Sequence, residues 1–141
     1  MILLDTNVVS EVMKTTPSER VLEWLNRQES SSLYVSTVTI GEITYGLHIL
    51  PEGKRRSGLA ERFEQFIALA FAQRVLAYDE PASRKYGEIM GTRKELGRPM
   101  SVPDGQIAAI ARVSHLTIAT RNITDFEQCG VELLDPFGIA G

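Results

Sequence analysis

The sequence predicts a three-layer α/β fold, a central and mainly parallel sheet flanked by helices. Three observations lead there. The chain opens on an apolar run, Ile2-Leu3-Leu4, which reads as a short strand buried on both faces at the centre of a parallel sheet. Short strand-like runs then alternate with longer segments at helical spacing, the pattern of strands joined by helical crossovers. Finally, the first strand stops on a carboxylate, Asp5, and a helix begins just beyond it. That order puts Asp5 at the carboxyl edge of the sheet, where open α/β folds hold their ligands.

Each element has its own signal. Beyond Asp5, Val8, Val9, Val12 and Met13 recur at helical spacing over Val8 to Lys14. Thr15-Thr16-Pro17-Ser18-Glu19 breaks that helix and starts another, with Pro17 suited to an early helical position. Val21, Leu22, Trp24 and Leu25 form its apolar face, and it ends near Gln28. Ser30-Ser31-Ser32 signals a turn before a second strand, Leu33-Tyr34-Val35. Ser36 to Glu42 opens a helix carrying Ile43, Leu47 and Leu50 on one side, and Pro51-Glu52-Gly53 ends it. Lys54-Arg55-Arg56 begins the next connection. Leu59, Phe63, Phe66, Ile67, Ala70 and Phe71 then mark an amphipathic helix.

A third strand is expected over Arg74 to Tyr78, followed by Asp79-Glu80-Pro81, a helix N-terminal signature. That helix runs to Leu96, buries Ala82, Tyr86, Ile89 and Met90, and is capped by Gly97. Gly87 and Gly91, four residues apart, predict close approach by a neighbouring element. After a loop from Arg98 to Val102, Ser101-Val102-Pro103-Asp104 starts a helix with Ile107, Ala108, Ile110 and Ala111 inward. Leu116 to Ala119 is a strand ending in Thr120-Arg121-Asn122. Thr124-Asp125-Phe126 opens one more turn, and Val131 to Leu134 is the last strand. There is no internal repeat, linker or low-complexity segment, so one domain over residues 1–141 is expected.

Composition narrows the function. The 141 residues carry a net charge of −3, which argues against a protein that coats nucleic acid nonspecifically through Lys and Arg. It leaves open an enzyme acting on nucleic acid through a small acidic site. One cysteine, Cys129, excludes an internal disulfide framework and a multi-cysteine zinc site, and two histidines, His48 and His115, disfavour a histidine-rich metal centre. No apolar run reaches membrane-spanning length, and the N-terminal one is too short for a signal peptide, so a cytoplasmic protein is expected. There is no nucleophile elbow, Walker A loop or dinucleotide fingerprint.

Four acids fall at strand-to-helix junctions or helix starts: Asp5, Glu42, Asp104 and Asp125. Taken singly, each is explained by capping. Asp5 fits an N-cap, Thr39-x-x-Glu42 and Ser101-x-x-Asp104 fit the capping box, and Asp125 lies three after Asn122. Taken together they are costly, because helices following parallel strands present their N-termini along one sheet edge. Two charges about 4 Å apart repel by roughly 4 kcal/mol at an effective dielectric of 20. A divalent cation relieves that repulsion, and all-oxygen ligands suit Mg²⁺ or Mn²⁺. Such a site activates water and clamps phosphodiester oxygens.

The ordered motifs carry a resemblance. They are Leu3-Leu4-Asp5-Thr6-Asn7 with Ser10-Glu11, then Ser36-x-x-Thr39-Ile40-x-Glu42-x-x-x-Gly46. Asp104-x-x-Ile107-Ala108-Ala109, Ile118-Ala119-Thr120-Arg121-Asn122, Asp125-Phe126 and Asp135-Pro136-Phe137 follow. Over Met1 to about Phe137 the chain resembles PIN-domain ribonucleases of the VapC type, toxins of type II toxin–antitoxin pairs, and in particular their FitB-like branch. The resemblance implies metal-dependent RNA cleavage, with Asp5, Glu42 and Asp104 holding Mg²⁺ or Mn²⁺. It implies that Thr6, Asn7 and Thr120 orient ligands or water. At the fourth acidic position the chain departs from the pattern: Asn122 stands where such sequences can carry Asp, and Asp125 can supply the charge from one turn later.

The resemblance further implies a homodimer and a DNA-binding antitoxin, with operator DNA reached only through that antitoxin. The segment from Glu42 to Phe71 is the candidate antitoxin groove, unless the protein's own core uses both apolar faces. Lys54-Arg55-Arg56 is a candidate phosphate contact. Two other functions compete. One is a non-catalytic module whose acidic pocket grips the antitoxin in a repressor complex, a reading that Asn122 keeps open. The other is a DNA-directed nuclease, which the lack of a long arch or DNA-binding insertion disfavours.

Overall fold

In a computed structural model of the chain, residues 1–71 and 74–138 are described, apart from the side chain of Ala70. Five parallel strands form one sheet in the order β3-β2-β1-β4-β5. They are β1 (Ile2–Leu4), β2 (Leu33–Ser36), β3 (Val75–Leu76), β4 (Thr117–Ala119) and β5 (Leu133–Leu134). The opening apolar run is therefore the central strand, as its lack of a polar face predicts. Ile2 pairs with Leu33 on one side and Thr117 on the other, and Leu4 pairs with Ala119.

Successive side chains of β1 enter different cores, because a strand alternates its faces. Leu3 packs with Ala82, Ile89, Ile107 and Ile118, while Leu4 packs with Val8, Val9, Trp24, Val35 and Phe71. Both leucines are wholly buried, worth about 1.5–3 kcal/mol each relative to exposure. The first core lies under α5 (Glu80–Glu95) and α6 (Val102–Val113). The second lies under α1 (Thr6–Met13), α2 (Glu19–Arg27), α3 (Thr37–His48) and α4 (Lys54–Phe71). A single turn, α7 (Ile123–Phe126), completes the helices among the described residues.

Four local expectations are corrected. Ser18 is the N-cap of α2, its side chain accepting from the Val21 amide, and Pro17 lies outside the helix. Lys54, Arg55 and Arg56 form the first turn of α4 rather than a connection. The third strand shrinks to two residues. Gly87 and Gly91 are exposed, and a Cβ at either would meet nothing within 4 Å. The close approach occurs instead at Gly105 of α6, where a Cβ would lie 2.5 Å from Met90 Sδ and 3.1 Å from Tyr86 Cε2. Tyr86 and Met90 are thus half-buried against the facing helix. Gly97 takes a left-handed φ of 74° just past α5, the backbone a glycine cap supplies.

Candidate active site

Strand order brings the candidate residues to one edge. The backbone ladder continues past the strand ends: the Asp5 amide donates to the Ala119 carbonyl (2.9 Å) and the Thr120 amide to the Leu134 carbonyl (2.8 Å). Asp5 and Thr120 therefore stand side by side at the carboxyl edge, and the Thr120 hydroxyl donates to Asp5 Oδ2 at 2.8 Å. The other oxygen, Oδ1, accepts the Thr6 amide at 2.8 Å, so Asp5 is both the N-cap of α1 and a wall of the site. Thr120 Oγ1 also accepts the Asn122 amide (3.0 Å) and Asn7 Nδ2 (3.3 Å). One buried hydroxyl ties the ends of β1 and β4 together.

Glu42 corrects the capping expectation. Ser36 caps α3, its hydroxyl accepting the Thr39 amide at 3.1 Å, so Glu42 sits beyond the first turn and caps nothing. Its carboxylate accepts instead from Thr6 Oγ1 at 2.6 Å, and Thr6 Oγ1 and Thr39 Oγ1 lie 2.9 Å apart in a second hydrogen bond. Asp104 does lie in the first turn of α6, where Ser101 caps its amide at 3.3 Å. Asn122 is the N-cap residue of α7 but makes no side-chain cap bond.

Asp5, Thr6, Asn7, Glu42, Asp104 and Asn122 line one cleft of about 390 Å³, together with Ser10, Glu11, Lys14 and Arg121. Thr120 stands behind this wall, wholly buried. Asp125 does not line it: the residue is exposed on α7, and its charge reaches the site only by helping to push the Asp104 carboxyl up. Burial pushes Asp5 up to about 6, against hydrogen bonds from Thr120 and Thr6 that pull it down, and the charges of Asp104 and Glu42 push it further. Burial is also the main cause of the raised Asp104 value. The charges of Glu42 and Asp104 thus reach Asp5, and that of Glu42 reaches Asp104.

Among the described residues no three Asp, Glu, His or Cys side chains are already gathered as a metal-holding group. The acids are held by protein hydrogen bonds instead, Asp5 by Thr120 and Glu42 by Thr6. The donor set nonetheless suits a hard divalent cation, being all oxygen and of one charge sign.

Three contributors had no role in the sequence reading, although Glu11 and Arg121 stand in its motifs. Glu11 is buried at 5 % exposure and binds Lys14 (2.9 Å) and the Ser18 amide (2.9 Å). Those contacts, Lys14 first, hold its carboxyl below the usual range. Arg121 stacks on Phe137, 3.8 Å from the ring centroid. Arg93 is buried at 4 % exposure and donates to the carbonyls of Arg98 (2.6 Å), Asp125 (3.0 Å) and Glu127 (2.8 Å). It anchors both the loop before Asp104 and the segment after Asn122. The i, i+3 spacing of Glu11 and Lys14 was a usable signal. Nothing local marks a buried arginine whose partners are distant carbonyls.

Comparison with known proteins agrees with this architecture. The PIN domain pattern matches residues 2–130. VapC ribonuclease Y4jK of Sinorhizobium fredii is 40% identical over 137 residues, covering 97% of this chain and 98% of that protein. Toxin FitB of Neisseria gonorrhoeae is likewise 40% identical over 137 residues, covering 97% and 99%. The structure of FitAB bound to an IR36 DNA fragment superposes with a TM-score of 0.91 at 39% identity, over 99% of this chain and 97% of that one. With the same order of strand ends and helix starts kept along almost its whole length, this chain belongs to the PIN-domain family, in its FitB-like branch.

Proposed function

We propose that this protein is a divalent-metal-dependent endoribonuclease, the toxin of a toxin–antitoxin pair. One observation carries the reading: Asp5, Glu42 and Asp104, from three separate elements, converge on a single cleft with no cation in contact with any of them among the described residues. The names of the relatives, a VapC ribonuclease and a toxin, support RNA as substrate. Mg²⁺ or Mn²⁺ would be held by Asp5, Glu42 and Asp104. When bound, such an ion supplies Lewis acidity to a phosphate and makes an attacking water more acidic.

The chain's own residues prepare that site. Thr120 and the Thr6 amide fix both oxygens of Asp5, so its carboxylate loses little rotational freedom when a ligand arrives. The Thr6 hydroxyl holds one oxygen of Glu42, Oε1. Asn7 is held at both ends, by Thr120 and by the Arg121 amide at 3.3 Å, and faces the cleft beside Asn122. Asp125, lying outside the cleft wall, contributes charge at a distance rather than a ligand atom.

A second surface supports the antitoxin half of the reading. A groove lined by Met13, Ile43, Leu47, Leu50 and Leu59 opens beside the acidic cleft and shares Thr6, Ser10, Lys14 and Glu42 with it. Both helices of the 42–71 segment border it, and Arg55 lies at its rim. Their other apolar residues, Phe63 and Phe71 among them, belong to the core, so the groove takes only part of their faces. A bound antitoxin segment would thus reach the acids directly, and the DNA-bound FitAB complex supports a partner of the DNA-binding kind. A homodimer is part of the same proposal.

The test is cleavage of total RNA by the protein freed of any partner, with and without EDTA. Cleavage should require Mg²⁺ or Mn²⁺ and be lost in Asp5→Ala and Asp104→Ala. Cutting that persists in chelator or in both variants would sink the metal mechanism. No cutting under any condition, with a partner still bound, would move the non-catalytic repressor reading ahead.

A further inference from the structure

We propose that Lys14 and Arg121, gathered from opposite ends of the fold's sequence onto the buried carboxylate of Glu11, form a phosphate-gripping rim that holds the RNA backbone beside the acidic cleft. The inference rests on the ribonuclease reading above and adds to it how the substrate is gripped.

The geometry is specific. Lys14 Nζ lies 2.9 Å from Glu11 Oε1, and Arg121 Nη2 lies 3.7 Å from the same oxygen. Glu11 itself is shut from solvent, whereas the two cationic side chains are more than half exposed, at 57% and 53%. All three line the cleft that contains Asp5, Glu42 and Asp104. Two cations over one anion leave a net positive rim beside three acids. At 3.7 Å the Arg121 contact is attraction rather than a hydrogen bond. Among the described residues the side-chain N–H groups of Arg121 donate no hydrogen bond, while its guanidinium is fixed from below by the Phe137 ring at 3.8 Å. An oriented guanidinium with open donors is suited to a phosphate's paired oxygens.

The chemistry needs such a rim. Three carboxylates repel a polyanion, so a phosphodiester approaching them must be held by cations that do not themselves neutralise the acids. Glu11 keeps Lys14 and Arg121 from collapsing onto Asp5 or Glu42, which make no ion pair among the described residues. The rim is thereby separated from the reacting centre, a positioning and binding device rather than a catalytic one.

The test uses the full chain and a short, mixed-sequence, fluorescently labelled single-stranded RNA. Affinity is measured in EDTA across a salt series, for wild type and for Lys14→Ala combined with Arg121→Ala. Each phosphate contact contributes about 0.7 to the slope of log K against log salt for single strands, so the double variant should lose about 1.4 from that slope. In Mg²⁺, KM should rise on the order of 10-fold with kcat within about twofold, the signature of lost uniform binding. Arg121→Lys should fall between, since it keeps charge but loses the planar fork. Both replaced side chains are exposed but pair the buried Glu11, so the double variant should melt lower, and a cooperative transition with a wild-type far-UV circular dichroism spectrum at the assay temperature checks the fold. A double variant with wild-type slope and KM, in a protein that does cut RNA, overturns the rim alone. A lowered kcat with the slope intact also overturns it, as a purely structural role. Wild type that neither binds nor cuts RNA overturns the ribonuclease reading and the rim together.

Discussion

The two edges of the central sheet differ in a way that volume alone would misrepresent. At the amino edge lies a cavity of about 610 Å³, lined by Lys85, Arg112, His115, Leu116, Val131 and Glu132 among others. At the carboxyl edge lies the acidic cleft of about 390 Å³. The larger space carries mixed charges, and its Lys85 is paired with Glu88 at 2.7 Å. The smaller one also holds Lys14 and Arg121, but both are drawn to Glu11. Asp5, Glu42 and Asp104 share one sign without an ion pair among the described residues, and burial holds two of them above the usual carboxylate range. Like charges brought together at a cost, with no ion pair to any of them among the described residues, mark a ligand site better than empty room does. The asymmetry has a backbone origin, since α1, α3 and α6 begin at the carboxyl edge, capped there by Asp5, Ser36 and Ser101, and their dipoles favour negative charge at that end.

The largest effect that would sharpen this contrast is catalytic. Asp104→Asn removes part of an electrostatic contribution worth several kcal/mol, so RNA cleavage should fall on the order of 100-fold or more. Lys85→Ala and Glu132→Gln at the amino edge should leave the rate within about twofold. A loss of similar size at both edges would break the distinction.

Next comes the pH dependence of the metal-free protein. Asp5 titrates near 6 when folded against 3.8 for its ordinary value, so the native state holds that proton more tightly than the unfolded chain. The associated stability is fully present below the unfolded value and is lost as pH rises through about 6. Asp5→Asn should flatten this fall and gain up to about 3 kcal/mol above it. Urea denaturation in EDTA at several pH values reads both. A wild-type curve flat across that window would mean the acid is not held as described.

Metal saturation is of similar size. A ligand at 100 times its dissociation constant adds about 2.7 kcal/mol to the native state, or a rise of about 5–10 °C in melting temperature for a domain near this length. Mn²⁺ should give that rise in wild type and much less in Asp104→Asn. Silence with Mn²⁺, Mg²⁺ and Ca²⁺ alike would argue that the carboxylates never act together.

The smallest effect belongs to the amino edge. His115, just past the Ser114 C-cap of α6, takes a left-handed φ of 56°, a conformation that costs an L-residue roughly 1–2 kcal/mol. His115→Gly should recover up to about 1 kcal/mol of stability in urea while leaving RNA cleavage alone. A destabilised variant would show that the His115 side chain contributes packing beyond this turn.

By itself the sequence determined the elements and their order. Apolar periodicity is a local consequence of which face is buried, so Ile2–Leu4 was legible as a central strand and Ile107 to Ala111 as an inward helix face. The acids Asp5 and Asp104 were legible too, because strand ends and helix starts leave a mark within a few residues, whereas Glu42 was singled out through a capping box that does not form. Tertiary structure decided what meets what. The approach expected at Gly87 and Gly91 occurs at Gly105, since glycine spacing says nothing of which neighbour faces it. The cap assigned to Thr39 belongs to Ser36, and only that one-turn shift turns Glu42 toward Thr6. Asp125, close in sequence to Asn122, lies outside the cleft that Asn122 lines. Lys14 and Arg121 are separated along most of the chain and meet at Glu11 because β1 and β4 are neighbours in the sheet. Periodicity records burial against a face; it carries no record of contacts that strand order makes between distant side chains.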